Sequence, residues 1–494
     1  MKNKRPRPPF TATTAAPARA PWLAGLAAVL LAGCAVTAPP VTPPAAVALP
    51  TAWQAPLPHG GTATELSRWW AQFGDPLLPT LIDAAQGASP TLAAARGRIE
   101  RARAARVAAG AALLPRLDAV ASAQQGRQMV GQPTATSASV GAQAGWEIDL
   151  FGANAAGRDA AQARFEGAQA GWHDARVALA AEVASSYTAL RGCEAQLAQT
   201  RLDAASRAET ARLTELSARA GFTAPADAAL VRAGTAQARS QLLAQQAQCE
   251  TQVKGLVELT AVAEPDLRQR LAAPVAGAPA TARVPEPPPI AIGALPASLL
   301  AQRPDLAEAA RNVAAAAADQ AQSQARERPQ ISLSGSLAAA SARSGGFTTN
   351  GSTWAIGPLA VTFPIFDGGA RRANTAAARA AYDEAVALYQ AQVRRALREV
   401  ESALVSLDAT AERQRDAVAA AQDFEASLVA TQARQRGGLA SLFDLESARR
   451  NAVQAQSALV DLQRERATAW ISLYRALGGG WSAQDTVPTA AAQP

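Results

Sequence analysis

Ser139-Val140-Gly141-Ala142-Gln143-Ala144-Gly145-Trp146-Glu147-Ile148-Asp149-Leu150 alternates without a break. Val140, Ala142, Ala144, Trp146, Ile148 and Leu150 share one face, and Ser139, Gly141, Gln143, Gly145, Glu147 and Asp149 the other. That is the period of a strand with one apolar and one polar side. A weaker partner runs from Arg116 to about Gln124, with Leu117, Ala119, Ala121 and Ala123 opposed to Asp118, Ser122 and Gln124. Further along, Ile331, Leu333 and Leu337 alternate with Ser332, Ser334 and Ser336, and a last strand carries Trp354 and Ile356, then Leu359, Val361, Phe363 and Ile365. Its phase slips at Gly357-Pro358, which predicts a bulge. The segments 125–138 and 341–352 are rich in Gly, Ser and Thr and predict exposed loops.

The two strand pairs belong to two copies of one unit. Ser89-Pro90-Thr91-Leu92 matches Arg303-Pro304-Asp305-Leu306 and Leu114-Pro115 matches Arg328-Pro329, both at an offset of 214. Gly221 to Asp227 matches Gly438 to Asp444 at 217, so the spacing barely drifts and the chain is an internal duplication. Each copy opens with an alanine-rich helix, roughly 88–114 and 300–327, ended near Pro115 and Pro329. After the strands come very long helices, about 154–219 and 370–436. Phe165, Trp172, Leu179, Val183, Leu190 and Leu197 form a coiled-coil seam in the first, and Tyr382, Val386, Tyr389, Val393, Leu397, Val400, Leu404 and Leu407 in the second. At ~1.5 Å per residue each arm extends about 100 Å. Turns at 221–225 and 437–441 send the chain back through helices at about 225–260 and 442–477. Opening and returning helices together nearly equal the long arm, which predicts that they stack end to end beside it.

A small soluble sheet also alternates, so the leader weighs in the choice of a membrane barrel. Residues 1–33 hold Lys2, Lys4, Arg5, Arg7 and Arg19 and no acid, and an apolar run from Trp22 leads into Leu31-Ala32-Gly33-Cys34. This is a bacterial lipoprotein signal with Cys34 as the lipidated, palmitate-bearing first residue, the alternative being an ordinary signal peptide with a chance cysteine. Strands crossing a bilayer need about 9 to 11 residues, which these provide. Four strands cannot close a barrel, and an open edge in lipid leaves backbone groups unsatisfied, so subunits must pool their strands. The predicted organisation is signal peptide 1–33, Pro-rich tether 34–62, first repeat 63–262, linker 263–299, second repeat 300–480 and tail 481–494.

Of 47 basic residues five lie in the leader, leaving 42 against 40 acids, so nucleic acid is not an expected partner. Only His59 and His173 are present, which leaves no candidate His-based catalytic group or multi-His metal site, and no cofactor is expected. Gly478-Gly479-Gly480 lacks the Lys and Ser/Thr of a phosphate loop and reads as a helix stop. The expectation is a protein that is not an enzyme. Cys193 and Cys249 lie equally far from the turn at Gly221 on antiparallel arms, which predicts a disulfide in an oxidising compartment, against two separate buried thiols.

The chain resembles the outer-membrane factor family of tripartite efflux and type I secretion systems, in its lipoprotein branch. The resemblance rests on Trp69-Trp70 with Phe73, Asp75, Pro76 and Leu81, on Trp146 to Gly152, on Arg303-Pro304-Asp305-Leu306, on Pro364 to Gly369 and on Leu473 to Trp481. It implies a homotrimer: a 12-stranded transmembrane β-barrel in the outer membrane over a periplasmic α-helical barrel. A periplasmic membrane-fusion adaptor and an inner-membrane RND-type pump are the implied partners. The adaptor-contact tips it implies are Gly221, Phe222 and Thr223, with Gly438, Leu439, Ala440 and Ser441; Asp423, Glu425 and Asp444 are gate candidates. The expected function is passive export of drugs or other small toxic compounds. Type I secretion, metal efflux and a non-conducting structural envelope lipoprotein are the alternatives.

Overall fold

The structure, a computed structural model, describes residues 53–55, 66–127, 134–273, 284–290, 300 and 302–482. Cys34 with the leader, most of the tether, parts of the 263–299 linker and the tail from 483 lie outside the described residues. The chain divides into two compact units, one holding the strands and one the helices.

The first unit contains β1 (Arg116–Gly126), β2 (Ala135–Ile148), β3 (Gln330–Ser344) and β4 (Phe347–Thr362). They form one antiparallel sheet in sequence order, so the two copies join through β2 and β3. Register collects the apolar residues: Leu117 pairs with Ala144, Trp146 with Leu333, Ala142 with Leu337, and Leu337 with Trp354. Gly357 and Pro358 of β4 together oppose Ser334, because Leu333 pairs with Leu359 and Gly335 with Ile356. The bulge expected there returns Leu359 and Val361 to the face of Trp354 and Ile356. Ser122, Gln143, Ser332 and Thr353 lie on the opposite face, where Ser122 and Ser139 share a 2.9 Å hydrogen bond.

Several strand boundaries differ from expectation: β1 runs on to Gly126, β2 already begins at Ala135, so the expected 125–138 loop is partly strand, and β4 ends at Thr362, short of Phe363 and Ile365. Residues 341–352 are not a loop: β3 and β4 continue to a two-residue turn at Gly345-Gly346, both at positive φ (57° and 86°). Small residues hid this hairpin, since Ala340, Ser341, Ala342, Thr349 and Asn350 alternate in size too little to mark a strand. In the first copy β2 stops at Ile148 because Asp149 turns to cap the next helix, accepting from the amides of Asn154 (3.1 Å) and Ala155 (2.7 Å). Residues 128–133, between β1 and β2, lie outside the described residues.

The helical unit contains α1 (Leu77–Ala88), α2 (Pro90–Ala111), α3 (Ala153–Arg219), α4 (Pro225–Thr260), α5 (Glu264–Ala272), α6 (Pro304–Ala325), α7 (Ala370–Arg436) and α8 (Leu442–Ala476). Ser89 caps α2 through the Leu92 amide (3.3 Å), so the opening helix begins at Pro90, with α1 before it. The long helices α3 and α7 have 67 residues each. Leu92, Ala95 and Ile99 of α2 pack on Phe165 and Trp172 of α3, while Leu242 and Cys249 of α4 pack on Cys193 and Leu197. Short helices thus follow one another along the same long one. In the second copy Leu306 of α6 packs on Tyr389 and Val393 of α7, and Leu445 of α8 on Leu428. Between the copies, α6 reaches α3 through Arg311–Glu166 (3.1 Å), and α8 reaches α3 through Gln196 donating to the Ser457 carbonyl (2.9 Å). The helices therefore run α2-α3-α6-α7 near the strand-proximal ends and α4-α3-α8-α7 toward the turns.

An aromatic knot fixes the middle of this unit. Trp69 stacks on Tyr474 (5.0 Å, 12°), meets Phe73 edge-on, and donates to the Pro288 carbonyl (3.1 Å). Tyr187 donates to Asp75 and accepts from Arg191 (2.9 Å). The aromatic pairs of Trp69 with Tyr474 and Phe73 add about 0.5–1.5 kcal/mol each beyond the area they bury.

Candidate functional site

The candidate functional surfaces are the two faces of the sheet and the two helical turns. The apolar sheet face is open to its surroundings: Trp354 is 74% and Ile356 83% exposed, and Leu117, Val140, Leu359 and Val361 are exposed as well. In water a contiguous apolar face of this kind is unstable; in a bilayer it is the face that meets lipid. The Trp146 indole, at the edge of that face, donates to the Leu113 carbonyl (3.0 Å), which leaves its ring outward at the end of the strand. The opposite face carries Asp118, Ser122, Ser139, Gln143, Glu147 and Ser332, with Val120 its apolar exception, and suits water. Among the described residues no helix is long and apolar enough to cross a membrane. β1 and β4 each pair on one side only within the described chain.

The two turns share a design. At the first, the Phe222 amide bonds the Ser217 carbonyl (2.9 Å) and the Gly221 amide bonds Ala218 (3.0 Å); at the second, Leu439 bonds Arg434 (2.8 Å) and Gly438 bonds Gln435 (3.0 Å). This helix stop needs a left-handed residue, which Gly221 (φ 81°) and Gly438 (φ 75°) supply. It leaves Phe222 87% and Leu439 73% exposed. Thr223 is held by Ser217 (2.7 Å), and a cavity of about 900 Å³ beside it is lined by Phe222, Asp227, Leu230, Ser441 and Phe443 from both hairpins.

Of the three acids singled out as gate candidates, Asp444 is engaged locally. It closes a capping box with Ser441, accepting from the Ser441 amide (2.9 Å) while its own amide donates to Ser441 Oγ (3.1 Å). The Ser441 hydroxyl and then its amide hold the Asp444 carboxyl below its ordinary pKa. Asp423 and Glu425 are exposed on α7.

A polar network that the sequence did not announce ties the helices above the turns. Asp203 and Arg207 of α3 pair at 2.9 Å; Arg207 lies 3.9 Å from Glu446 of α8; Glu446 pairs with Arg449, which donates to Thr210 of α3 (3.2 Å). Asp203, Thr210 and Arg449 are buried, and Asp203 Oδ1 has no hydrogen-bond partner. Its signal was Asp203-x3-Arg207-x2-Thr210 facing Glu446-x2-Arg449, which in isolation reads as two solvated helix faces. Higher up, Cys193 and Cys249 form a disulfide across α3 and α4 (Cα–Cα 5.6 Å).

The Arg303-Pro304-Asp305 signature is structural. Arg303 is buried, donates to the Ala476 carbonyl (2.8 Å), forks onto Asp305 (2.9 and 2.7 Å), and meets Glu399 (2.8 Å); Gln392 also donates to Asp305 (2.7 Å). Burial pushes the Asp305 carboxyl up, but the bonds from Arg303 outweigh it and the net direction is down. Asp174 of α3 and Glu308 of α6 go the other way: burial, then neighbouring carboxylates, raises both.

A sheet with one lipid-suited and one water-suited face, joined to paired long helices, defines an outer-membrane transport protein. The chain matches the family model described as outer membrane efflux protein over residues 81–262 and 295–479, one segment per copy. It belongs to that family, whose members are passive channels of the outer membrane and not enzymes. It is 31% identical to outer membrane protein OprJ of Pseudomonas aeruginosa, over 92% of this chain and 96% of that protein. It is also 31% identical to the pyoverdine export outer membrane protein OpmQ of Pseudomonas putida, over 90% of this chain and 94% of that one. Among solved structures, VceC of Vibrio cholerae superposes with a TM-score of 0.72 at 27% identity, covering 86% of this chain and 100% of that one. The open state of the Neisseria gonorrhoeae channel MtrE gives 0.75 at 25%, covering 90% and 98%.

Proposed function

We propose that three copies of this chain close into one ring, the outer-membrane duct of a tripartite pump that expels drugs or other small toxic compounds. The observation that carries the reading is the four-stranded sheet with an apolar exposed face and two unpaired edges, β1 and β4. Joining β4 of one copy to β1 of the next seals every backbone group in lipid, and three copies give twelve strands around a polar lumen. The helical unit has matching open flanks, α2 with α4 on one side and α7 on the other, so the contact is head-to-tail and closes as a ring.

The lipid on Cys34 adds an anchor. Exposed Phe222 and Leu439 at the turns fit docking by the tips of a periplasmic adaptor, which hands over cargo from an inner-membrane RND-type pump. We assign the closing latch to the Asp203, Arg207, Thr210, Glu446 and Arg449 network in preference to Asp423, Glu425 and Asp444. Buried ion networks are costly to break singly and so make a two-state contact. Relatives named for pyoverdine export, solvent efflux and toluene efflux support small-molecule cargo over secreted protein. The test is purified protein in a planar bilayer together with a deletion strain carrying the gene in trans. Discrete conductance and restored drug tolerance are expected; a protein that inserts without conducting overturns the reading.

A further inference from the structure

Most arginines of α2 are engaged within the copy, which leaves Arg101 exposed and unpaired, and α7 holds two exposed acids, Asp383 and Glu384, without ion pairs among the described residues. α2 carries Arg96, Arg98, Arg101, Arg103 and Arg106 against one acid, Glu100, which pairs with Arg103 (2.9 Å). Arg96 lies over Trp172 and Arg106 over Phe165, and Arg98 is within electrostatic reach of Glu308. Arg101 is exposed and makes no ion pair among the described residues. It sits on a stripe with Ala94, Arg98 and Ala105. On α7 the exposed stripe Ala377, Ala380, Glu384 and Leu388 is equally smooth, and neither Glu384 nor the adjacent Asp383 has an ion pair among the described residues.

Position along the helices says which groups meet. Ile99 is twelve residues before the end of α2 and packs against Phe165, twelve after the start of α3. Leu306 is nineteen before the end of α6 and packs beside Tyr389, nineteen after the start of α7. Equal counts from the strand-proximal ends therefore mean equal height. Helical side chains lean toward the N-terminus, and Arg101 Nη1 accordingly lies beside Gly97, 3.5 Å from where a Cβ there would stand. Gly97 is fourteen residues before Ala111, and Glu384 fourteen after Ala370.

We infer that Arg101 of one copy pairs with Glu384 of the next, flanked by Asp383, and that this ion pair clamps the α2–α7 seam between copies. The inference rests on the ring proposed above and adds the residues that hold and orient it.

Full-length protein in detergent tests it by sedimentation, comparing wild type with Arg101→Glu, Glu384→Arg and the double swap. Either single reversal should shift the trimer-to-monomer ratio by ~10-fold or more toward monomer, since like charges facing each other in an interface are costly, and the swap should restore it. A Gly97→Cys, Glu384→Cys protein should give covalent dimers and trimers on non-reducing gels after mild oxidation. A trimer indifferent to both reversals, or weakened by them but not restored by the swap and not cross-linked, overturns the ion pair. A wild type that sediments as a monomer overturns the ring itself.

Discussion

Gly141 shows how closely single residues set this fold. A Cβ there would stand 2.3 Å from the Leu337 carbonyl oxygen and 2.7 Å from Ala338 Cα, so β2 and β3 meet where no side chain fits. Gly126, also in a strand, has open space around its Cβ position. Gly141→Val should therefore abolish assembly of heat-resistant trimer in outer-membrane preparations, while Gly126→Val leaves it intact. Arg303 makes a second point. Arg303→Met strands Asp305 among buried groups and should cost about 3–5 kcal/mol in denaturant unfolding at neutral pH. Because the native Asp305 carboxyl is held below its ordinary pKa, its contribution is present above the unfolded value and lost as pH falls through the folded one. The Arg303-Pro304-Asp305 motif was legible as a signature but its reason was not. The arginine's acceptor is the Ala476 carbonyl, in another helix and 173 residues away.

At the scale of elements, the long helices were legible because their seams repeat many times, and the boundaries failed where short-range chemistry decides. Asp149 reads as the polar face of a strand until its carboxylate is seen capping α3, and Ala-Ser alternation in β3 and β4 reads as loop because neither residue is large. The disulfide joins helices that the turn alone leaves free to separate, and its 56-residue loop should contribute ~4 kcal/mol in the chain-entropy model. Cys193→Ser with Cys249→Ser should lower the thermal midpoint of the helical unit without altering the strands, as followed by circular dichroism. The α3–α6 contact carries the opposite signature to Asp305. Asp174 and Glu308 bind protons more tightly folded than unfolded, so deprotonation above their folded pKa values destabilises, and stability is regained as pH falls through them. Glu308→Gln should raise the melting temperature at pH above neutrality and flatten its rise on mild acidification; an unchanged profile would remove the pair from the account.

Taken as a whole molecule, the chain separates permanent from reversible contacts. The aromatic knot and the disulfide hold α3 to its neighbours by apolar burial and a covalent bond. The Asp203–Arg207–Glu446–Arg449 network differs, because it joins α3 to α8 through the Arg207–Glu446 ion pair and the hydrogen bond from Arg449 to Thr210, with one carboxylate oxygen of Asp203 left without a partner. Replacing one member leaves its partner charged and buried or half-buried, so the contact should fail in one step and the turns beyond it should part. Apolar replacement of all four groups should do the reverse and hold the helices together. Arg449→Ala is thus expected to raise single-channel conductance several-fold and to sensitise cells to large antibiotics that enter from outside. A fourfold variant with Asp203, Arg207, Glu446 and Arg449 changed to leucine or methionine should stay at or below wild-type conductance while still assembling. If Arg449→Ala conducts like the wild type, closure depends on other groups, and Asp423 and Glu425, exposed on α7, return as the residues to change.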